Sequence, residues 1–360
     1  MRTPAPKLLA DLTQAWPRPS APKPIVLIGA GSIVRDAHLP IYRRLGFPVA
    51  GIFDVNPAAG RERAAAFCIP RVFETLDAAV QAPDVVFDVA VPPIHIAGII
   101  ERMLPGSAVL IQKPMGRDLS DARRIRAICR ERRLLAAVNF QLRFAPNMLA
   151  LKDALSRGIL GEVTDLEVRI NLHTPWGYWA FLKGVPRLEI VMHSIHYLDL
   201  IRSMVGEPRG AWCRALSHPE LPDYPDVRSS IILDYGDVIR ASLMQNHAHR
   251  FGPRHAMSQL KIEGTSGAAI AKMGVNLNYP HGEPDTLEIA TKDSDWTQVA
   301  LRGSWFLEAF EGPMSNLQRV AAGEDGALVS GVEDAFHTMA LVEACYQSSA
   351  RQATPIPSDG

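Results

Sequence analysis

Glu189, His193 and His196 fall at spacings i, i+4 and i+7 in the largely apolar stretch Glu189-Ile190-Val191-Met192-His193-Ser194-Ile195-His196-Tyr197-Leu198-Asp199-Leu200. On a helix, Glu189, His193 and His196 share one face. Two imidazoles and a carboxylate in one stripe are more than a packed core usually tolerates, and histidine is the side chain whose charge changes near neutral pH. The stripe is therefore a candidate for proton transfer. A metal reading is weaker: the pattern is not H-E-x-x-H and no cysteine is near, so no metal is expected. Histidines hydrogen-bonded inside a core remain a third reading.

A second set of residues suits phosphate. Gly29-Ala30-Gly31-Ser32-Ile33-Val34 comes directly after the β-rich run Ile25–Ile28. Two glycines allow a tight bend and bring backbone N–H groups, with the positive end of the next helix, close to a pyrophosphate. Val34 replaces the third glycine of G-x-G-x-x-G, so context must support the motif. Asp54 supplies it, 20 residues on at the end of the second run, where a carboxylate can accept from both ribose hydroxyls and repel a 2′-phosphate. NAD is thereby favoured over NADP. Lys113 ends the run Ala108–Ile111, on the edge of an open sheet where ligands bind, and Pro114 stiffens the loop after it.

Elements must position these residues. Ile25–Ile28, Val49–Asp54, Val85–Val91, Ala108–Ile111 and Leu134–Asn139 read as buried strands, each separated by enough chain for a crossover helix. That is a doubly wound α/β domain with a parallel sheet, placed at residues 24–146. After it come a strand at Glu162–Leu172 and closely spaced strands at Ser229–Asp234, Val238–Met244 and Gln259–Glu263. They predict an α+β region with a large open, mainly antiparallel sheet and helices at about Glu189–Val205, Trp305–Ala322 and Val332–Arg351, over residues 147–360. Residues 1–23, proline-rich around the apolar patch Leu8–Leu12, read as an N-terminal arm and a candidate subunit contact.

The 38 basic and 38 acidic residues cancel, which removes the electrostatic case for nucleic acid or an anionic membrane. A 47% hydrophobic content is that of a globular chain, and no apolar run reaches the length of a bilayer span. Four scattered cysteines without a CxxC pair fit a reducing cytoplasm. His173-Thr174-Pro175-Trp176-Gly177-Tyr178-Trp179 offers aromatic faces and hydroxyls that suit a sugar or polyol ring, with Trp176 and Tyr178 as substrate candidates; core packing explains the same residues about as well. His247, His249, Arg250, Arg254 and His255 could attract a carboxylate or phosphate but read first as a solvated loop.

The order of motifs resembles the glucose-fructose oxidoreductase, inositol dehydrogenase and rhizopine catabolism family, often written Gfo/Idh/MocA. The resemblance runs from about Pro24 to the C-terminus. It includes Ala37-His38-Leu39-Pro40 at the start of the first helix, Pro92-Pro93-Ile94-His95 resembling a P-x-x-H loop beside the cofactor, and Gln112-Lys113-Pro114 resembling E-K-P. It continues through Asn139–Pro146, Ile262-Glu263-Gly264-Thr265-Ser266-Gly267 and the closing helix Ala344–Ala350. The resemblance implies that Gly29, Gly31, Ser32, Ile33, Asp54, Pro92, His95, Gln112 and Lys113 bind the dinucleotide. It implies a cis bond before Pro114, and a lysine that reaches both the nicotinamide ribose and the substrate hydroxyl, where an ammonium would stabilise alkoxide character as hydride leaves carbon. The family's D-x-x-x-H places His196 as general base, but Met192 stands where the orienting aspartate should be. His193 or Glu189 could supply the missing polar partner, and Arg143 is a further candidate for contact with cofactor or substrate.

Residues and resemblance together imply a nicotinamide-dependent oxidoreductase of a secondary alcohol on a sugar, cyclitol or related polyol. Two alternatives stay open: NAD-assisted elimination or hydrolysis without net redox, and a dinucleotide-binding regulator whose dyad has decayed. By the same resemblance, the open sheet would pair between subunits in a homodimer or homotetramer.

Overall fold

Strands covered by helices on both faces are apolar along their whole length, and the first five β-rich runs are of that kind. In the computed structural model, which describes residues 9–279 and 281–357, they form a parallel sheet. In chain order its region holds β1 (Ile25–Ile28), α1 (Leu39–Leu45), β2 (Val49–Phe53), α2 (Pro57–Phe67), α3 (Leu76–Val80), β3 (Val86–Val89), α4 (Ile96–Ile100), β4 (Ala108–Gln112), α5 (Leu119–Glu131) and β5 (Leu135–Asn139). The strand order is β2-β1-β3-β4-β5. The order reverses at β1, so a crevice opens beyond the carboxyl ends of β1 and β3, where open α/β sheets bind ligands. In-register pairing of Ile28 with Val89, Val89 with Ile111 and Gln112 with Asn139 brings Gly29, Ala90 and Lys113 out on one edge.

The helix after the glycine turn opens with a π segment, Val34–His38, before α1. His38 Nδ1 lies 2.7 Å from Asp88 Oδ2 on β3, and the Tyr42 hydroxyl donates to the same oxygen at 2.8 Å. All three are buried, so helix and sheet are tied by a polar contact inside the core.

Beyond α6 (Pro146–Ser156), the chain enters a second sheet through β6 (Val163–Asn171). A π segment, Ile190–Ser194, leads into α7 (Ile195–Val205). Then come β7 (Gly210–Leu216), β8 (Arg228–Tyr235), β9 (Ile239–Asn246), β10 (Met257–Gly264), β11 (Gly267–Lys272), β12 (Thr286–Thr291), β13 (Ser294–Gln298), α8 (Glu311–Ala321) and α9 (Val332–Ser349). The eight strands run β13-β12-β11-β10-β6-β9-β8-β7. Every neighbour pair is antiparallel except β6 with β9. Burial alternates along the strands, with Leu166, Val168 and Ile170 inward, while Trp212, Ile232 and Met244 are exposed on the other face.

Some expected boundaries move. The helix expected from Trp305 begins as the short turn Glu308–Phe310 before α8, and the Trp305 N–H donates to Asp285 Oδ2. Helix α8 returns to pack on β4 and β5, and Val138 N donates to Ser330 O, so the last part of the chain covers the first sheet. The described part of the arm is sewn to its own chain: Leu9 and Leu12 are buried, Gln14 bonds Ala300 O and Arg302 N, and Trp16 Nε1 donates to Asp325. Residues 1–8, with Pro6 and Leu8, lie outside the described residues. Among the described residues no helix is long and apolar enough to cross a membrane.

Candidate active site

The edge where β1, β3 and β4 end forms one wall of a cavity of about 470 Å³. Gly29 leaves β1 with φ +111°, and a Cβ there would meet Ala90 O at 2.3 Å, so glycine is required both by conformation and by the approach of β3. Gly31 differs: a Cβ there would meet nothing within 4 Å, because the residue faces the cavity. Ser32, Ile33, Pro92 and Gln112 line the same wall. Asp54 comes directly after β2 and accepts the N–H groups of Ala30 and Asn56, both at 2.7 Å, so it braces the glycine turn from behind. His95 is exposed on the short turn Pro93–His95 and does not line the cavity; the prolines before it do.

Lys113 reaches in from the end of β4 through a cis Lys113–Pro114 bond. Its ammonium donates to the Met192 carbonyl oxygen at 2.9 Å across the cavity. Burial lowers its pKa to about 8, since the charged form loses water and gains only a neutral acceptor. Met192, a lining residue of the cavity, thus bears on the lysine through its backbone.

The opposite wall is a cluster of histidines built on the second π segment. A π turn holds more residues than an α turn, which rotates the expected stripe apart. His193 and His196 line the cavity, but Glu189 does not: it is fully buried behind it, with Oε1 accepting from the Ser194 hydroxyl at 2.7 Å. The same oxygen lies 3.6 Å from His247 Nε2. His247, brought from beyond β9, stacks on His193 at 4.4 Å between ring centroids, and its Nδ1 lies 2.8 Å from the Thr174 hydroxyl oxygen. Burial, then the proximity of Lys113, holds His196 well below the ordinary imidazole range. His193 is depressed likewise by burial, His247, Lys113 and His196. Both rings are neutral at pH 7, the form that can accept a proton.

Two further expectations are corrected. Trp176 is a core residue, edge-on to His193 at 5.2 Å and to His247 at 5.9 Å; it backs the histidines instead of meeting the cavity. Arg143 is withdrawn into a buried ion pair, with Nε and a terminal nitrogen each 2.6 Å from Asp199 and a further contact to Asp334, because a guanidinium matches carboxylates bidentately. Tyr178 does line the cavity, its hydroxyl donating to Asp36 at 2.6 Å and accepting from Arg35 at 2.7 Å. Sequence reading missed Gln141, Asn276 and, above all, His247, which it left in a solvated loop. A single signal separated His247 from its neighbours: it continues the inward alternation of Leu243 and Gln245 along β9.

The first wall fits a nicotinamide dinucleotide. It presents an open glycine turn at a helix start, and the buried Gln112 Oε1 and Gln141 Oε1 lack partners within the protein. Among the described residues no group of three or more His, Cys, Asp or Glu is arranged to hold a metal ion.

Glycine turn, edge lysine and facing imidazole on this two-sheet frame define the class, a nicotinamide-dependent dehydrogenase. Residues 23–140 match the oxidoreductase family with an NAD-binding Rossmann fold. The inositol 2-dehydrogenase of Rhizobium meliloti is 25% identical over 336 residues, 91% of this chain and 96% of the relative. The D-apiose dehydrogenase of Paraburkholderia graminis is 25% identical over 90% of this chain and 86% of its own. An oxidoreductase from Agrobacterium radiobacter, solved with NAD+, L-tartaric acid and magnesium, superposes with a TM-score of 0.77 at 20% identity, covering 92% of this chain and 97% of that one; this likeness shows the fold. The match over residues 23–140 and these relatives agree with the resemblance of the chain to the Gfo/Idh/MocA oxidoreductases.

Proposed function

We propose that this protein oxidises a secondary alcohol of a sugar, cyclitol or related polyol with NAD as acceptor. The observation that carries the reading is the meeting of Lys113 and His196 in one cavity beside the glycine turn. Neutral His196 takes the hydroxyl proton, and the Lys113 ammonium steadies the oxygen as negative charge grows on it. The nicotinamide, when bound, supplies the hydride acceptor. Gly31, Ser32 and Ile33 would hold the pyrophosphate and Gln112 the nicotinamide end. NAD is favoured over NADP because Asp54, beside the glycine turn, would repel a 2′-phosphate. The Met192 carbonyl, on Lys113, and Trp305, edge-on to His196 at 5.7 Å, position the pair. Exposed Trp212 and Ile232, which face each other across β7 and β8, support a homo-oligomer through the outer sheet face.

Monitoring NADH absorbance with NAD and a panel of sugars, cyclitols and polyols tests the reading. Reduction of NAD by at least one of them is expected. A silent panel with protein that binds NAD overturns it, and substrate consumed without NADH accumulating points to transient oxidation instead.

A further inference from the structure

The ionisable lining of the cavity is basic throughout apart from the tyrosines. Lys113, His173, His193, His196 and His247 can each carry positive charge, and among the described residues no carboxylate lines the cavity. The nearby acids are turned elsewhere. Glu189 faces Ser194 and His247, and Asp226 takes the N–H groups of Leu188 and Glu189 and the Tyr346 hydroxyl. Asp36 at the rim is held by Arg35 and Tyr178, and Asp285 by Gly274 N and Trp305 N. Gln112 and Met192, either side of Lys113, add neutral acceptors, an amide oxygen and a backbone carbonyl, and no negative charge.

A neutral polyol brings no charge to set against a lysine and four histidines, whereas a carboxylate only accepts and carries the opposite charge. Crowded cationic groups also repel one another's protons, and an arriving anion relieves that repulsion. A phosphate dianion is usually met by arginine or a backbone nest on the substrate side, and among the described residues no arginine lines this cavity.

We propose that the substrate carries a carboxylate, as in an acidic sugar or a polyol acid, seated on His193 with His247 stacked behind it while its reacting hydroxyl faces Lys113 and His196. The assignment rests on the dehydrogenase reading and deepens it. Glu189 Oε1 lies 3.6 Å from His247 Nε2, so His247 already faces a buried carboxylate and His193 is the imidazole left to meet the ligand. His193 takes a proton from solvent as the carboxylate arrives, and binding of the acid tightens as pH falls from 8 to 6. The groups bearing on that proton are Lys113, His196, His247 and, behind His247, Glu189.

Matched pairs test this. NADH-loaded protein is titrated calorimetrically with D-glucuronate against D-glucose, D-galacturonate against D-galactose, D-gluconate against D-glucitol, and with glucose 6-phosphate, at pH 6, 7 and 8. At least one acid is expected to bind about tenfold or more tightly than its neutral partner, with proton uptake and weakening toward pH 8. Met192→Asp should abolish that preference, while Met192→Leu keeps it. Equal or tighter binding of the neutral partners, tighter binding of the phosphate, or acid binding without pH dependence overturns the inference, and wild-type data alone decide it if the aspartate variant does not fold. An acid that binds but never reduces NAD sustains the carboxylate assignment and overturns the dehydrogenase reading; a neutral sugar that reduces NAD does the reverse.

Discussion

The two walls of the cavity are made in different ways. The cofactor wall is a row of strand ends: Gly29, Ala90 and Lys113 leave β1, β3 and β4 on one edge because three parallel strands keep register. The histidine wall is assembled from distant pieces: the π segment supplies His193, the start of α7 supplies His196, and the chain beyond β9 supplies His247, clasped through Thr174 and Glu189. The first wall is a consequence of fold topology, the second of one irregular turn and a few side-chain contacts. Nucleotide binding should therefore withstand changes that ruin the handling of substrate.

The largest separation should come from His196→Ala. Loss of a general base typically costs about 10² to 10⁴ in rate, and kcat should fall by that factor while the NADH dissociation constant, read by fluorescence, stays within a few fold. Lys113→Ala should cost about 10² to 10³ in kcat. Unlike the histidine change it should also weaken the cofactor, since Lys113 stands on the nucleotide wall. Equal effects of both variants on NADH binding would break the comparison.

Stability gives the next largest effect, far from either wall. Arg143 and Asp199 are both buried, and replacing Asp199 with Ala strands the guanidinium beside a single remaining carboxylate, Asp334. Breaking a buried pair in this way costs about 3–5 kcal/mol, measurable by urea unfolding. Because Thr338 also donates to Asp199 at 2.8 Å, the loss propagates into α9.

This contrast also accounts for what the sequence disclosed. Strands β1 to β5 were legible because a parallel sheet buried on both faces writes continuous apolar runs, and the glycine turn and Lys113 because they come immediately after such runs. Arg143 misled because a long cationic side chain near a site reads the same whether it meets substrate or a buried acid; only its partners 56 and 191 residues away decide. Glu189 misled because the i, i+4, i+7 rule assumes an α turn, and the residues from 190 to 194 take a π turn instead. His247 was hidden by neighbours that are exposed: Arg250 pairs with Glu220, and His249 lies 3.2 Å from the Gly252 carbonyl, in the loop that surrounds it.

The pH profile sharpens the comparison, since each wall contributes one titration. His196 must be neutral, and its depressed pKa places the acid limb well below 6.5. Lys113 must be charged, and its pKa of about 8 places the alkaline limb there. At saturating substrate kcat should be flat near neutrality and fall about tenfold per pH unit above 8. Lys113→Arg, which stays protonated, should remove the alkaline limb even where it lowers the rate.

The smallest expected effect lies in the second wall's outer brace. Thr174→Val keeps the shape of the side chain but removes the oxygen 2.8 Å from His247 Nδ1. A buried polar group left unpaired costs about 1–3 kcal/mol. Part of that cost is recovered if His247 turns, and turning it disturbs the ring stacked on His193. KM for the substrate should rise several-fold with kcat changed less and the NADH constant unaltered, because among the described residues none of the cofactor wall touches Thr174 by hydrogen bond. If instead the cofactor constant moves as much as KM, the two walls behave as one unit.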